Sequence, residues 1–135
     1  MLNIRIANER DFETIAKCDK HISETTLKKK IANNQILIAE INGGFVGWLR
    51  WGLFWDEIPF MNMLYVLENY QNKGIGTALV RKWEQMLLAD GFDNIMTSTL
   101  EQESSKYFYY KLGYRNLGKF MPFEDEYEII MGKNL

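Results

Sequence analysis

"YQNKGIGTALV", Tyr70 to Val80, sets two glycines one residue apart at the opening of an amphipathic helix. Glycine costs about 0.8–1.0 kcal/mol against alanine inside a helix, so something must offset that cost. A helix N-terminus presents unpaired backbone N–H groups and about half a positive charge, and an anion aimed at it is held without a cationic side chain. Gly74 and Gly76 clear side-chain bulk from that end and permit the dihedrals of a nest of N–H groups. Thr77 adds a hydroxyl, while Lys73 and Arg81 add charge at the rim. On the glycines alone, a tight strand-to-helix turn without a ligand accounts for the stretch equally well. Two familiar phosphate motifs are excluded. No lysine follows Gly76 as a P-loop requires, and Leu79 stands where a Rossmann fingerprint needs its third small residue.

The pattern outward from this helix sets the fold. Ile75, Leu79, Trp83, Met86 and Leu87 recur at helical spacing, and Gly91 is placed to end the helix. Before it, "FMNMLYV" (Phe60 to Val66) is an apolar strand, with Trp55 to Pro59 expected as a loop. Further upstream, "LNIRIA" alternates as a strand, Asn8 caps a helix through "ERDFETIAKCDKHI", and Ser23 caps a second. "QILIAEI" and "FVGWLRWGLF" flank the hairpin turn "NGG". Downstream come the strand "NIMTSTL", the short helix "SSKYFYYKL" stopped by Gly113, and the strands "YRNLGKFM" and "YEIIMGK". The order β-α-α-β-β-β-α-β-α-β-β predicts an α/β fold of the α+β type. Its central sheet is mixed and mostly antiparallel, with about seven strands, helices on both faces and a right-handed parallel crossover through the long helix.

With 135 residues, 47% hydrophobic and 25% charged, the chain fits one domain over 1–135 with a buried core. A net charge of −2 argues against nucleic acid as partner. No run approaches the roughly 18 apolar residues of a membrane span. The N-terminus is charged where a signal peptide is apolar, and the single Cys18 suits a reducing, cytoplasmic setting. Cys18 and His21, three apart on the first helix, share a face, with Cys18 expected in the core. Two such residues do not make a metal site.

The segment from Gln71 resembles the Q/R-x-x-G-x-G/A signature of the GNAT N-acetyltransferases, which holds the pyrophosphate of acetyl-coenzyme A. Val66, eight residues before Gly74, falls where that family ends the strand that pairs with the pantetheine arm. "SKYFYYKLGY" (Ser105 to Tyr114) resembles the family's A-x-x-F-Y-x-x-x-G-F/Y segment, and the element order matches over nearly the whole chain. The resemblance implies acetyl-CoA as co-substrate, without a metal, contacted by Leu64, Tyr65, Val66, Gln71, Asn72, Lys73, Gly74, Ile75, Gly76, Thr77 and Ser105. Gln102 stands where the family often has an asparagine.

Acetyl transfer from a thioester to an amine needs the amine deprotonated, the oxyanion stabilised and the thiolate protonated. Backbone N–H groups at Met63 to Val66 are candidates for the oxyanion. By the resemblance the acid is Tyr109, four residues before Gly113, with its neighbour Tyr110 as the rival. Some family members carry a glutamate as base where this chain has Phe60; Asp56, Glu57 and Glu68 are the nearby carboxylates, and none is assigned. The resemblance implies a small-molecule or peptide amine as acceptor. Trp48, Trp51 and Trp55 either wall its pocket or fill the core, at least two of them the latter. His21 is an acceptor contact by position. Glu124, Asp125, Glu126 and Glu128 either solvate a hairpin tip or draw a cationic amine. The aromatic-rich surface and closing strands suit a homodimer. Without a base, an acyl-CoA-binding sensor or scaffold is the alternative, and a structural domain with an empty glycine turn is a third.

Overall fold

Alternating and helical apolar periods along the chain become seven strands and four α-helices in the computed structural model, which describes residues 1–123 and 125–135. Strands β1 (Leu2–Ile6), β2 (Ile36–Ile41), β3 (Gly44–Phe54), β4 (Ile58–Val66), β5 (Asn94–Leu100), β6 (Arg115–Phe120) and β7 (Glu128–Asn134) form one mixed sheet in the order β1-β2-β3-β4-β5-β7-β6. Helices α1 (Phe12–Cys18), α2 (Glu24–Ala32), α3 (Ile75–Ala89) and α4 (Ser105–Lys111) fall in the expected sequence. The chain divides into two compact units, Met1–Gly52 with Met63–Trp83, and Leu53–Asn62 with Glu84–Leu135.

In the first unit, β2 lies antiparallel to both β1 and β3. The β2–β3 turn is made by Asn42 and Gly43, both left-handed (φ 51° and 80°), the conformation that the hairpin's twist demands. Ser23 caps α2 by accepting the Thr26 N–H at 3.2 Å. Asn8 caps a 3-10 turn, Glu9–Asp11, in a reciprocal capping box with Asp11. Ile15, Leu27, Ile31, Ile36, Ile38 and Trp48 close over one core.

Helix α1 is shorter than the sequence pattern suggests. It ends at Cys18 because the next residue, Asp19, turns its carboxylate inward, where it is buried. Arg50 Nε donates to Asp19 Oδ2 at 2.8 Å and Arg50 Nη2 to Oδ1 at 3.3 Å. Trp48 Nε1 and the His21 N–H complete the set at 3.2 and 3.1 Å. Two expectations are corrected here. Cys18 is exposed, not core, and His21 lies beyond the helix, so the two share no helical face.

In the second unit, β5 pairs antiparallel with β7, and β7 with β6. The expected parallel pairing after α3 is present: Phe60 registers with Met96 and Met61 with Thr97. The expected loop from Trp55 to Pro59 shrinks to a turn closed by the Glu57 N–H on Phe54 O at 3.1 Å, and Pro59 is already in β4. Trp55 and Asp56 both take left-handed φ (55° and 59°), a conformation that aspartate tolerates but that tryptophan does not announce.

Candidate active site

The glycine stretch lies in the first unit and begins at the end of β4. After Val66 a short 3-10 turn, Glu68–Tyr70, leads into Gln71 in extended conformation. Asn72 (φ 62°) and Gly74 (φ 83°) are left-handed, and α3 starts at Ile75. Left-handed residues in such a loop tilt successive N–H groups toward one side, which is how a nest is built. A Cβ on Gly74 would meet nothing within 4 Å, so glycine is needed there for its dihedral. Gly76 is helical and serves only by lacking a side chain. The first bond of the helix runs from the Ala78 N–H to Gly74 O at 3.0 Å, which leaves the N–H groups of Ile75, Gly76 and Thr77 without partners inside the helix.

Two further contacts set this loop. The Gln71 side-chain amide donates to Val66 O at 2.8 Å, tying the loop to the strand end. Gly47 of β3 passes so close that an added Cβ would stand 2.8 Å from Tyr65 O and 3.3 Å from Val66 Cα. The Leu67 N–H reaches Val46 O at 2.8 Å beside it, and Tyr65 rests on the Trp48 ring, centroids 5.5 Å apart. Leu64 and Val66 are half-buried; Lys73 is exposed.

The tyrosine segment lies in the second unit. Tyr109 is buried, at 8% exposure, whereas Tyr110 is 39% exposed. Burial pushes the Tyr109 hydroxyl up to about 12, against the opposing effect of a hydrogen bond with Thr97, so the phenol is neutral at ordinary pH. Thr97 Oγ1 donates to Met61 O at 3.0 Å. Gly113 (φ 96°) ends α4, and the following Tyr114 sets its ring edge-on to Tyr109 at 5.6 Å. Tyr114 Oη donates to the buried Glu84 carboxylate at 3.0 Å, and Lys133 Nζ reaches both Glu84 oxygens at 3.2 Å.

Other sequence-predicted residues scatter. Gln102 is exposed, and the Ser105 hydroxyl meets that of Thr99. Asp56, Glu57 and Glu68 are exposed, and Phe60 stacks on Phe54 at 6.0 Å. Trp48 and Trp51 are core, as expected for two of the three tryptophans, while Trp55 is 77% exposed. Glu124 lies outside the described residues; Asp125 and Glu126 are exposed. Among the described residues no group of three or more His, Cys, Asp or Glu is arranged to hold a metal, and no helix is long and apolar enough to cross a membrane. Sequence reading missed Thr97 and Asp19. A threonine in a strand reads as a β-former, and an aspartate after a helix reads as solvated.

The family model of the acetyltransferase (GNAT) domain matches residues 32–116, well over half of the chain and including the whole glycine loop and α4. The chain belongs to the GNAT acetyltransferases. An uncharacterized N-acetyltransferase of Chlorobaculum tepidum is 28% identical over 98 residues; the match takes in 69% of this chain and 61% of that relative, so the chain spans about three-fifths of its length. Two solved GNAT-like structures share the fold. PaiA N-acetyltransferase from Thermoplasma acidophilum, in complex with coenzyme A, superposes with a TM-score of 0.80 at 20% identity, covering 100% of this chain and 99% of that one. Arabidopsis thaliana Naa50, in complex with the bisubstrate analogue CoA-Ac-MVNAL, gives 0.85 at 16% identity, covering 99% of each chain.

Proposed function

We propose that the chain is an acetyl-CoA-dependent N-acetyltransferase, one domain over 1–135 working in the cytoplasm, that moves acetyl to a primary amine by direct attack in a ternary complex. The observation that carries this reading is the loop ahead of α3, where left-handed Asn72 and Gly74 precede the partner-less N–H groups of a 15-residue helix. Those groups hold the diphosphate, with Gln71, Lys73 and Thr77 around it, and Leu64 to Val66 pair with the pantetheine arm. Gln102 and Ser105 are further coenzyme contacts in this reading.

In the reaction the amine nitrogen bonds to the thioester carbon and the oxyanion is stabilised by backbone N–H groups near Val66. Collapse breaks the carbon–sulfur bond. The Tyr109 O–H gives its proton to the departing sulfur, and the proton released from the amine nitrogen restores the phenol, so the step balances as amide plus thiol. A neutral phenol suits this role, being protonated before the step. No carboxylate is given the part of base.

The acceptor is a small-molecule or peptide amine, and the peptide moiety of the analogue bound to Naa50 supports the latter class. The exposed apolar Leu117 and Phe120 of β6, with Tyr127 just before β7, support a homodimer. Phe60, packed on Phe54 where a base stands in some relatives, favours a second reading, an acyl-CoA sensor without turnover.

Calorimetric titration with coenzyme A, followed by thiol release from acetyl-CoA across spermidine, lysine and a peptide with a free N-terminus, tests both. Saturable binding with release supports the enzyme. Saturable binding with no release across a widened panel supports the sensor, and no saturable binding overturns the two together.

A further inference from the structure

The C-terminal end of α4 closes in a connected set of contacts. The Gly113 N–H donates to Tyr110 O at 3.1 Å and the Tyr114 N–H to Tyr109 O at 3.0 Å, a pairing that left-handed Gly113 makes possible. This cap brings the side chains of Tyr109 and Tyr114 together, and their rings meet edge-on, centroids 5.6 Å apart. The Leu112 carbonyl, at the end of the helix where no further turn supplies a donor, accepts from Lys133 Nζ of β7 at 2.8 Å. Lys133 runs across Gly113, where an added Cβ would stand 3.4 Å from its Cε. Its ammonium also reaches both Glu84 oxygens, and the Tyr114 hydroxyl donates to the same carboxylate. Glu84, Leu112 and Tyr114 are all buried.

A cation, a carboxylate and a phenol gathered in the interior are costly to desolvate, and apolar side chains of the same volume often stabilise as well. What the directional bonds add is placement. A helix of seven residues has little stability of its own, so its position is set by what holds its ends. Tyr109 lies in the last turn and is touched by both the backbone and the ring of Tyr114, which Glu84 of α3 fixes in turn. We propose that Glu84 and Lys133 are positioning residues for Tyr109, acting through Tyr114 and the Leu112 carbonyl. They exchange no proton in the reaction; they hold the phenol in the place from which it reaches the departing sulfur. The effect on turnover rests on Tyr109 as the acid; the effect on placement does not.

The test measures thiol release and calorimetric coenzyme A affinity in the whole chain and in Glu84→Leu, Glu84→Gln and Tyr114→Phe, each with and without Tyr109→Phe. Glu84→Gln keeps an acceptor oxygen for Tyr114 and Lys133, whereas Glu84→Leu removes it. Turnover is expected to fall about ten- to hundredfold in Glu84→Leu and less in Tyr114→Phe, and to be largely restored in Glu84→Gln. Coenzyme A affinity should stay within about twofold of the parent throughout. Added to Tyr109→Phe, the same substitutions should cost about twofold or less, because the phenol they place is gone. An equal loss with and without Tyr109→Phe, or parent turnover in Glu84→Leu, overturns the proposal. If Glu84→Leu does not fold, Tyr114→Phe decides on the same comparison. No thiol release in the parent removes the enzyme reading, and parent release in Tyr109→Phe removes the acid reading. Placement is then judged by tyrosinate absorbance, read as the difference between each variant and its Tyr109→Phe counterpart. A Tyr109 midpoint lowered from about 12 toward 10.0 in Glu84→Leu, or in Tyr114→Phe where the former does not fold, supports it, since water then reaches the phenol. An unmoved midpoint overturns it.

Discussion

The side-chain amide of Gln71 donates to the carbonyl oxygen of Val66 at 2.8 Å, so the last residue of β4 and the first extended residue of the glycine loop are held to each other. A coenzyme that lies along the strand end and places its diphosphate in the loop depends on that spacing. Gln71→Ala removes one exposed hydrogen bond, a loss of about 1 kcal/mol. Coenzyme A affinity, measured by calorimetry, is expected to fall about five- to tenfold, with a melting temperature close to that of the parent.

Gly74 gives the complementary case, in which space is ample and only the backbone matters. Its φ of 83° suits glycine, and an added Cβ has no neighbour within 4 Å. Gly74→Ala is expected to destabilise by about 1–2 kcal/mol in urea unfolding, with coenzyme A binding weakened further because the loop relaxes away from the left-handed region. Gly47→Ala differs in kind. Its Cβ would collide with Tyr65 O at 2.8 Å, and spreading of the strand end should lower both stability and affinity.

These contrasts show what the sequence discloses and what it withholds. The order of strands and helices is legible because the apolar periods are strong and the turn at Asn42–Gly43 uses residues that tolerate positive φ. The turn at Trp55–Asp56 is not legible, since tryptophan gives no turn signal and Pro59 suggests a longer loop. Asp19 and Cys18 reverse the usual polarity rule: the carboxylate is buried because Arg50 neutralises it, and the thiol is left outside. Tyr109 stands four residues before Gly113, but its burial, at 8% exposure, carries no pattern of its own in the sequence.

The Asp19–Arg50 pair supplies a prediction on stability and acid sensitivity. Burial raises the Asp19 carboxyl, but the hydrogen bonds from Arg50, the His21 N–H and Trp48 and the charge of Arg50 outweigh it, and the net direction is downward. A carboxylate lowered in the folded state stabilises the fold above its unfolded value, and that contribution is lost as pH falls through the folded value. Asp19→Asn leaves Arg50 buried beside a neutral amide and is expected to cost about 3–5 kcal/mol. The measurement is urea unfolding as a function of pH, in which the variant should show a shallower loss of stability on acidification than the parent.

Tyr109 titrates in the opposite direction at the other end of the scale. Burial raises its hydroxyl from 10.0 to about 12, so between those values the folded protein holds a proton that the unfolded chain has released. The contribution is complete below pH 10 and is lost as pH rises through about 12, an effect of about 2–3 kcal/mol at most. Tyr109→Phe has no such proton to lose, and its unfolding free energy should fall less steeply over that interval. Tyr110→Phe, altered at a side chain 39% exposed, should keep the parent's stability at neutral pH. In thiol release the same two variants are expected to separate again, with turnover about a hundredfold lower in Tyr109→Phe and within twofold of the parent in Tyr110→Phe. The reverse pattern would assign the acid one residue later on α4.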